Sequence, residues 1–420
     1  MTIERKEIWA GLTTFFTMAY IVVVNPSIMS ANGTGITFSG ALTSTVLLSF
    51  LMTLLMGVYA KLPFAVAPAM GVNALITYTI ILGRGIAWPI AFGIVFWAGI
   101  FFLFVSATPL RAELVKAIPE NLRTAAAVGI GLLLTLIGFQ SAGIVEKDPV
   151  TILKFGAPNL KMLLSLIGTF FSLFLLRKKS PFAFLATILF ITLVSVLTGL
   201  TGLPKKLFAT PDFSSTLFKL DILGALNLSL FPSILAILFT DLFDSISTFV
   251  GVSKATGLIS RSGEPLRLKE GLIVDAVATT TAGLFCTASG TAYIESAAGI
   301  EVGGKTGKTA IVTALCFLPC LFIAPLAQMV PAFATAPVLI LIGSMMFKNV
   351  RELEFQKLED LVPAFLTITI IPLTFSITKG MLVGFIAHVI CYLMVGQHKK
   401  IRPMMYGVSI LSAILLWIDQ

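Results

Sequence analysis

The sequence predicts an all-α polytopic membrane protein with fourteen transmembrane spans, arranged as two inverted repeats of seven. The first observation behind this prediction is composition. Hydrophobic residues make up 57% of the 420 residues and charged residues 12%, about half the charged share of a soluble globular chain. The second is that the charges lie in short loops between apolar runs. A disordered, nucleic-acid-binding or secreted disulfide-rich protein is therefore excluded, despite a net charge of +9.

Each span was assigned by length, because a membrane-spanning helix needs roughly 20 apolar residues. A further apolar run at 404–418 is short for a span, and whether it crosses the membrane or lies at the interface is left open. The predicted spans are 9–25, 41–59, 64–82, 87–107, 122–140, 160–176, 181–199, 231–251, 271–286, 289–302, 309–328, 334–349, 361–378 and 380–397.

The loop charges test this count. With the N-terminus in the cytoplasm, 21 of the 29 basic residues fall on the cytoplasmic side and 8 on the other. Cytoplasmic loops of membrane proteins carry an excess of Lys and Arg. The bias therefore favours fourteen spans with both termini inside, since a missed span would reverse the sides of every later loop.

The third and tenth spans are predicted to be broken. The third, in LPFAVAPAMGVNALITY, contains Pro68 and Gly71, and the tenth, in ASGTAYIESAAGI, contains Gly290, Gly299 and a β-prone triplet at 291–293. Each is expected to be a short extended piece followed by a half-helix, which survives at membrane depth only where it is buried or lines a cavity. Their matching places, third in each set of seven, indicate the inverted repeat and a site between them.

Four acidic residues fall inside predicted spans and away from the span ends: Asp241, Asp244, Asp275 and Glu295. A charged group there costs about 2.5–3.5 kcal/mol on insertion scales, so such residues usually face a functional cavity. For Asp275, beside a basic loop, a structural ion pair is the favoured interpretation. His388 is expected to pack or hydrogen-bond in an apolar environment.

Asp241 and Asp244 lie three residues apart in FTDLFDSISTFVG, so both carboxylates are expected on one helix face. Two nearby carboxylates resist holding two charges, which suits a proton carrier. The alternative is that one is functional and the other caps or bonds to the backbone. Asp241 lies deeper in the span and is the preferred ligand residue.

Glu295 and Asn73 occupy matching places in the two broken spans. Glu295 is expected near the N-terminus of a half-helix, where unpaired N–H groups and the positive dipole end favour an acceptor. The Asn73 amide offers two donors and an acceptor. A purely structural role in satisfying the broken backbone remains the alternative for both.

Four motifs together resemble a known family. TTFFTMAYIVVVNP in the first span, APAMGVNA in the third, FTDLFDSISTFVG in the eighth and IESAAGIEVGGKTGKTA in and after the tenth are similar to the AzgA-like purine permeases of the nucleobase–cation symporter-2, or nucleobase–ascorbate transporter, family. The resemblance runs in order from about residue 8 to 395. The sequence departs from it beside the site, at Ala69, where Gly is expected, and in the SGTAY stretch.

The resemblance implies a core domain of residues 1–110 (spans 1–4) and 222–330 (spans 8–11), and a gate domain of residues 111–210 (spans 5–7) and 331–420 (spans 12–14 and the C-terminal apolar run). It implies proton-coupled uptake of adenine, guanine or hypoxanthine by alternating access across the plasma or inner membrane. It places substrate binding on Glu295, Asp241 and Asn73, and Asp244 matches a second acid of the family. Proton coupling is expected on Asp241 and Asp244, because the chain has only two histidines and neither lies in a broken span.

Two alternative functions stay open. A transporter of the same fold could carry uracil, xanthine or an anion, and a membrane enzyme could use the carboxylate pair as acid and base or to hold a metal. The sequence has no His cluster, and GGKTGKT at 303–309 lacks the spacing of a phosphate-binding loop. We therefore expect no cofactor, metal or nucleic acid. The expected partners are the purine, a proton and the lipid bilayer, with a homodimer as the assembly considered.

Overall fold

A computed structural model describes residues 4–108, 119–149, 151–204, 206–259 and 265–418. The predicted domain boundary between residues 110 and 111 lies outside these ranges. So do four of the basic residues counted in the loops, namely Arg111, Lys116, Lys205 and Arg261.

The described part of the chain is mostly helical. Turns of π-helix at Met56–Ala60 and Leu75–Gly83 extend α3 and α4. The α-helices are α1 Arg5–Met18, α2 Ile21–Met29, α3 Phe38–Leu55, α4 Met70–Ala74, α5 Trp88–Ala107, α6 Glu120–Ser141, α7 Leu160–Arg177, α8 Ala183–Leu197, α9 Phe231–Thr256, α10 Leu268–Phe285, α11 Ser296–Val302, α12 Gly307–Phe317, α13 Ala324–Gln328, α14 Ala332–Phe347, α15 Leu358–Thr374, α16 Ile377–Met394 and α17 Pro403–Ile418.

Many of these helices are long and apolar enough to cross a membrane, which makes the chain a multi-pass membrane protein. Within the described residues, eight helical stretches meet this criterion and four apolar helices are shorter. The eight are Arg5–Met29, Phe38–Ala60, Trp88–Ala107, Glu120–Ser141, Leu160–Arg177, Leu228–Ser253, Ala332–Glu352 and Ile377–Met394. The shorter four are Met70–Gly83, Ala183–Leu197, Gly307–Phe322 and Pro403–Trp417.

Four short strands form two antiparallel pairs. Strand β1 (Val66–Pro68) pairs with β4 (Gly290–Ala292), with Ala67 opposite Thr291. Strands β2 (Val145–Asp148) and β3 (Ile152–Phe155) form a hairpin between α6 and α7. The sequence alone does not predict this hairpin, because its residues fall in a loop between two predicted spans.

The β1–β4 pair is completely buried, so its outer backbone groups need partners other than water. Side chains supply them along β1. Thr53 Oγ1 accepts from the Val66 N–H at 2.9 Å and donates to the Val66 carbonyl at 2.9 Å. Ser296 Oγ accepts from the Ala65 N–H at 3.0 Å. Hydroxyl groups from α3 and α11 thereby take the place of further strands.

The largest buried apolar cluster includes Val66, Ala67 and Ala292 of this strand pair. Its bulkiest members belong to several different helices and loops. Phe64, next to β1, packs its ring edge-on against Phe249 of α9 at 4.9 Å between centroids. The strand pair is therefore built into the apolar interior.

Small residues let α5 and α10 approach closely. A methyl group on Gly99 of α5 would collide with the backbone of Thr280 on α10, and one on Gly283 of α10 would collide with Phe96 of α5. Close backbone approach at small residues is the usual way in which helices associate within a membrane, where the lipid tails are as apolar as the side chains.

We expect Gly99→Ala to destabilise the folded protein by about 1–3 kcal/mol, because the added methyl group must push two packed helices apart. The matched control is Gly407→Ala in α17, where an added methyl group meets no atom within 4 Å. Thermal unfolding of the purified variants in detergent measures the effect. A melting temperature for Gly99→Ala equal to that of the control would contradict this close packing.

Candidate functional site

Asp241 lies behind strand β4, in a cage of hydroxyl groups. Its side chain on α9 is 1% exposed. One carboxylate oxygen accepts from Ser289 Oγ at 2.7 Å, and the other accepts from Thr279 Oγ1 at 2.9 Å. Ser289 immediately precedes β4 and Thr279 belongs to α10. Asp241 thus joins two helices to the start of the strand.

Asp275 forms hydrogen bonds with the other end of the same strand. It is completely buried two turns inside α10, and it accepts from the Ala292 N–H at 3.1 Å and from Thr291 Oγ1 at 3.5 Å. The predicted ion pair with the basic loop is therefore wrong. The side chain faces β4 instead of the loop, and no lysine or arginine of the described residues pairs with it.

Glu295 lies immediately before α11, close to the N-terminus of a short helix as the sequence predicts. Its side chain is partly exposed. Tyr20 Oη donates to Glu295 Oε1 at 2.7 Å, and Thr17 Oγ1 approaches the Glu295 carbonyl oxygen at 3.5 Å. Both partners come from the first span, where Tyr20 holds the carboxylate and Thr17 lies against the backbone of the same residue.

Asp244 faces a different environment from Asp241, although the two are one helical turn apart. It is partly exposed, and no hydrogen-bond partner is found for it among the described residues. It lies close enough to Glu295 for their charges to interact. The four acids therefore divide into two partly exposed carboxylates, Asp244 and Glu295, and two that are buried behind β4.

Asn73 lies in a separate buried amide network. Its side chain is fully buried, and Nδ2 donates to Asn25 Oδ1 at 2.6 Å. The Asn25 amide in turn donates to Thr45 Oγ1 at 2.7 Å and to Thr287 Oγ1 at 3.1 Å. The structure thus brings Asn73 to Asn25 rather than to Glu295, and a contact between Asn73 and substrate stays a prediction.

Aromatic and cationic side chains of other helices pack on α9 near its two acids. Phe239 meets Phe385 of α16 edge-on at 6.1 Å between centroids. The guanidinium group of Arg123 on α6 lies 5.8 Å from the centre of the Phe243 ring, a cation–π distance. His388, which was predicted to be buried by packing, is 6% exposed and lies beside Tyr392.

This arrangement suits recognition by hydrogen bonds. Carboxylate oxygens accept, the hydroxyl groups of Tyr, Ser and Thr donate or accept, and apolar rings surround them. Among the described residues, no group of three or more His, Cys, Asp or Glu side chains could hold a metal ion. The residues that can be identified from the structure thus point to a small polar ligand.

Sequence reasoning missed four polar residues of the site: Tyr20, Asn25, Thr279 and Ser289. A signal was present for two of them. Tyr20 and Asn25 both lie in TTFFTMAYIVVVNP, where they are polar groups inside a long apolar run. Thr279 and Ser289 could not be distinguished from the many other hydroxyl residues of the spans, because hydroxyl groups also bond to their own helix.

Comparison with known proteins identifies the family. Residues 5–383 match the model of a permease family. The adenine permease AdeP of Escherichia coli K12 is 35% identical over 100% of this chain and 94% of its own length. The guanine/hypoxanthine permease PbuO of Bacillus subtilis 168 is 35% identical over 99% of this chain and 97% of its own.

A solved structure shows the same fold. The transmembrane domain of the cyanobacterial bicarbonate transporter BicA superposes with a TM-score of 0.65 and 16% identity, over 91% of this chain and 98% of that one. Membership of a permease family makes the chain a transporter and not an enzyme, which removes the enzyme alternative. With its motifs and full-length relatives in agreement, the chain belongs to this permease family, as an AzgA-like member of the nucleobase–cation symporter-2 group.

Proposed function

We propose that this protein is a secondary active transporter that takes up purine nucleobases together with protons by alternating access. The observation that carries the proposal is the pair of partly exposed carboxylates, Asp244 and Glu295, beside a buried strand pair inside a multi-pass membrane protein. The names of the full-length relatives, an adenine permease and a guanine/hypoxanthine permease, supply the substrate class.

Glu295 is proposed as the main substrate ligand. Tyr20 donates to Oε1, and Oε2 receives no hydrogen bond from another side chain of the described residues, so Oε2 is proposed to accept from a substrate N–H. A purine base is flat and neutral and carries N–H donors and ring-nitrogen acceptors along its edges. A single fixed acceptor can hydrogen-bond to one such edge, while apolar rings pack against the two faces of the base.

Asp241 and Asp244 are proposed to serve the coupled proton. The charges of Asp241, Asp244 and Asp275 interact with one another, and Asp244 also interacts with Glu295. No ion pair to these four groups exists among the described residues. Uptake of a proton relieves this mutual repulsion. Ser289 and Thr279 can accept as well as donate, so the hydroxyl cage of Asp241 can accommodate either protonation state.

The proposed architecture has fourteen spans as a seven-plus-seven inverted repeat, with core and gate domains at the predicted boundaries. Its support is the antiparallel pairing of β1 with β4, since each strand precedes a short helix in its own half of the chain. Inverted repeats with interrupted spans at the midplane are common among secondary transporters. The BicA likeness supports a transporter fold of this kind.

A polar cavity of about 550 Å³ opens beyond the end of α2, lined by residues that include Ser27, Ser30, Asn32, Phe38 and Gln328. The span from Arg5 to Met29 separates this cavity from the N-terminal end of α1. With a cytoplasmic N-terminus, the cavity faces the external solution.

Both termini are expected in the cytoplasm of a cell that carries the protein in its plasma or inner membrane, as the loop charges predict. Reporter fusions at Lys179 and Lys269 should report an inside location, and a fusion at Lys206 should report outside. An inside location for Lys206 would overturn the number of spans proposed for the first half.

The two main acids should differ in their response to loss of charge. Asp241→Asn should still bind purine at acidic pH but lose accumulation driven by a pH gradient, because the amide cannot carry the proton. Glu295→Gln should weaken purine binding about tenfold or change base preference, since a hydrogen bond to a charged acceptor becomes a neutral one. Purified protein binding and proteoliposome uptake, with and without an imposed pH gradient, measure both.

Two results would contradict these roles. Normal gradient-driven accumulation by Asp241→Asn would remove Asp241 as the proton carrier. If Glu295→Gln binds purine normally and loses coupling alone, the roles of the two residues are reversed. Glu146→Gln is a matched control, because this exposed carboxylate lies on the β2–β3 hairpin away from the four acids.

Asn73→Ala and Asn25→Ala should resemble each other. Each removes the hydrogen bond between the two amides and leaves one buried amide atom of the remaining residue unpaired, which costs about 1–3 kcal/mol. Thermal stability should therefore fall in both, and purine affinity per folded molecule should change equally. A loss of affinity confined to Asn73→Ala, at equal stability, would show instead that Asn73 touches the substrate.

A further inference from the structure

Tyr20 lies at the break in the first span, between α1 and α2, and its side chain is 1% exposed. Its hydroxyl group donates to Glu295 Oε1 at 2.7 Å. Its backbone carbonyl accepts from the N–H groups of Val23 at 3.0 Å and Val24 at 2.9 Å, which fixes the start of α2. The backbone of Tyr20 is thus fixed at the start of α2, while its hydroxyl group bonds to Glu295, the residue proposed to bind substrate.

The same ring contacts a helix from the other proposed domain. Tyr20 meets Phe184 of α8 edge-on, with centroids 5.2 Å apart and an interplanar angle of 77°. One turn earlier in α1, the ring of Phe16 lies 4.6 Å, between centroids, from the ring of Phe182 at the start of α8. Edge-to-face aromatic pairs are favourable without hydrogen bonds, so they can form and break as surfaces slide.

Helices α1 and α11 are packed too closely to slide in this way. A methyl group on Gly299 of α11 would collide with Thr14 and Ala10 of α1. In the first turn of α1, Glu7 accepts from Thr306 Oγ1 at 3.0 Å and also from Thr309 Oγ1. Tyr20 and Glu295 therefore belong to one tightly packed unit, and α8 contacts Tyr20 through an aromatic ring.

We propose that Tyr20 is a positioning residue that orients the Glu295 carboxylate for the substrate and links the state of that carboxylate to helix α8 through Phe184. The inference rests on the proposed function, because it assigns Glu295 as the ligand. With Oε1 held by Tyr20, the substrate meets Oε2 in a fixed orientation. When substrate or a proton changes the Glu295 side chain, the ring bonded to it shifts against Phe184.

The first test separates binding from structure. Tyr20→Phe keeps the ring and removes the hydroxyl group, and it should weaken purine binding about tenfold at neutral pH, the effect of losing a hydrogen bond to a charged acceptor. In a Glu295→Gln background the same change should cost about twofold or less, because the charged acceptor is absent. Tyr59→Phe is the control, since Tyr59 is 49% exposed and takes no part in the hydrogen bonds that hold Asp241, Asp275 and Glu295.

The second test separates binding from movement. Phe184→Leu should leave the purine Kd within about twofold of wild type and slow purine exchange across proteoliposomes several-fold, because the aromatic contact with Tyr20 is lost while Glu295 keeps its hydrogen bond. Binding is measured by titration of purified protein with adenine, guanine and hypoxanthine, and exchange is measured with the same bases radiolabelled.

Each outcome decides a separate point. If wild-type protein binds none of the three bases, the proposed function fails and this inference fails with it. If wild type binds and Tyr20→Phe binds equally well, or loses affinity equally in both backgrounds, Tyr20 does not act through Glu295 and the inference alone is overturned. If the purified Tyr20→Phe variant is not monodisperse, the Phe184→Leu variant provides the test. A rate of purine exchange equal to that of wild type in Phe184→Leu would then overturn the link between Tyr20 and α8.

Discussion

The structure depends on one constraint, which is that two pieces of extended backbone are buried inside a membrane protein. Each N–H and C=O group of β1 and β4 needs a partner there, because no water is available. The strands satisfy one another across their shared edge. Thr53 and Asp275 bond to their outer groups, and Ser296 bonds to the N–H of Ala65 just before β1. The positions of α4 and α11, which follow the two strands, are set by this pairing, and with them the position of Glu295.

The same constraint separates the acids into two kinds. Asp241 and Asp275 lie behind β4 and bond to residues in or beside it, so they support the backbone as well as carrying titratable groups. Asp244 and Glu295 are partly exposed and have space on one side. In the account proposed here, substrate meets the exposed pair, while protons reach a network of interacting carboxyl groups that extends behind the strand. Binding and coupling are then neighbouring functions of one polar core.

Much of this was predictable from the sequence, for physical reasons that also set its limits. Composition and apolar run length indicate a membrane protein, and isolated acids in apolar runs indicate Glu295 and Asp244 as polar sites. The three-residue spacing could not show that Asp241 is buried and Asp244 is partly exposed, because these environments depend on which neighbouring elements each side chain contacts. Asp275 was misassigned because closeness to a basic loop along the chain does not give the direction of a side chain. The Asn25–Asn73 and Tyr20–Glu295 pairs join residues distant in sequence, which periodicity cannot reveal.

The central claim is that the chain moves purines at the expense of a proton gradient. The most direct measurement is uptake of radiolabelled adenine, guanine and hypoxanthine by proteoliposomes that contain only the purified wild-type protein, with the lumen alkaline relative to the external solution. The account predicts accumulation of at least one base above its external concentration, and loss of that accumulation when a protonophore collapses the gradient. Accumulation that is unaffected by the protonophore, or no uptake of any purine by protein that is folded and monodisperse, would contradict it.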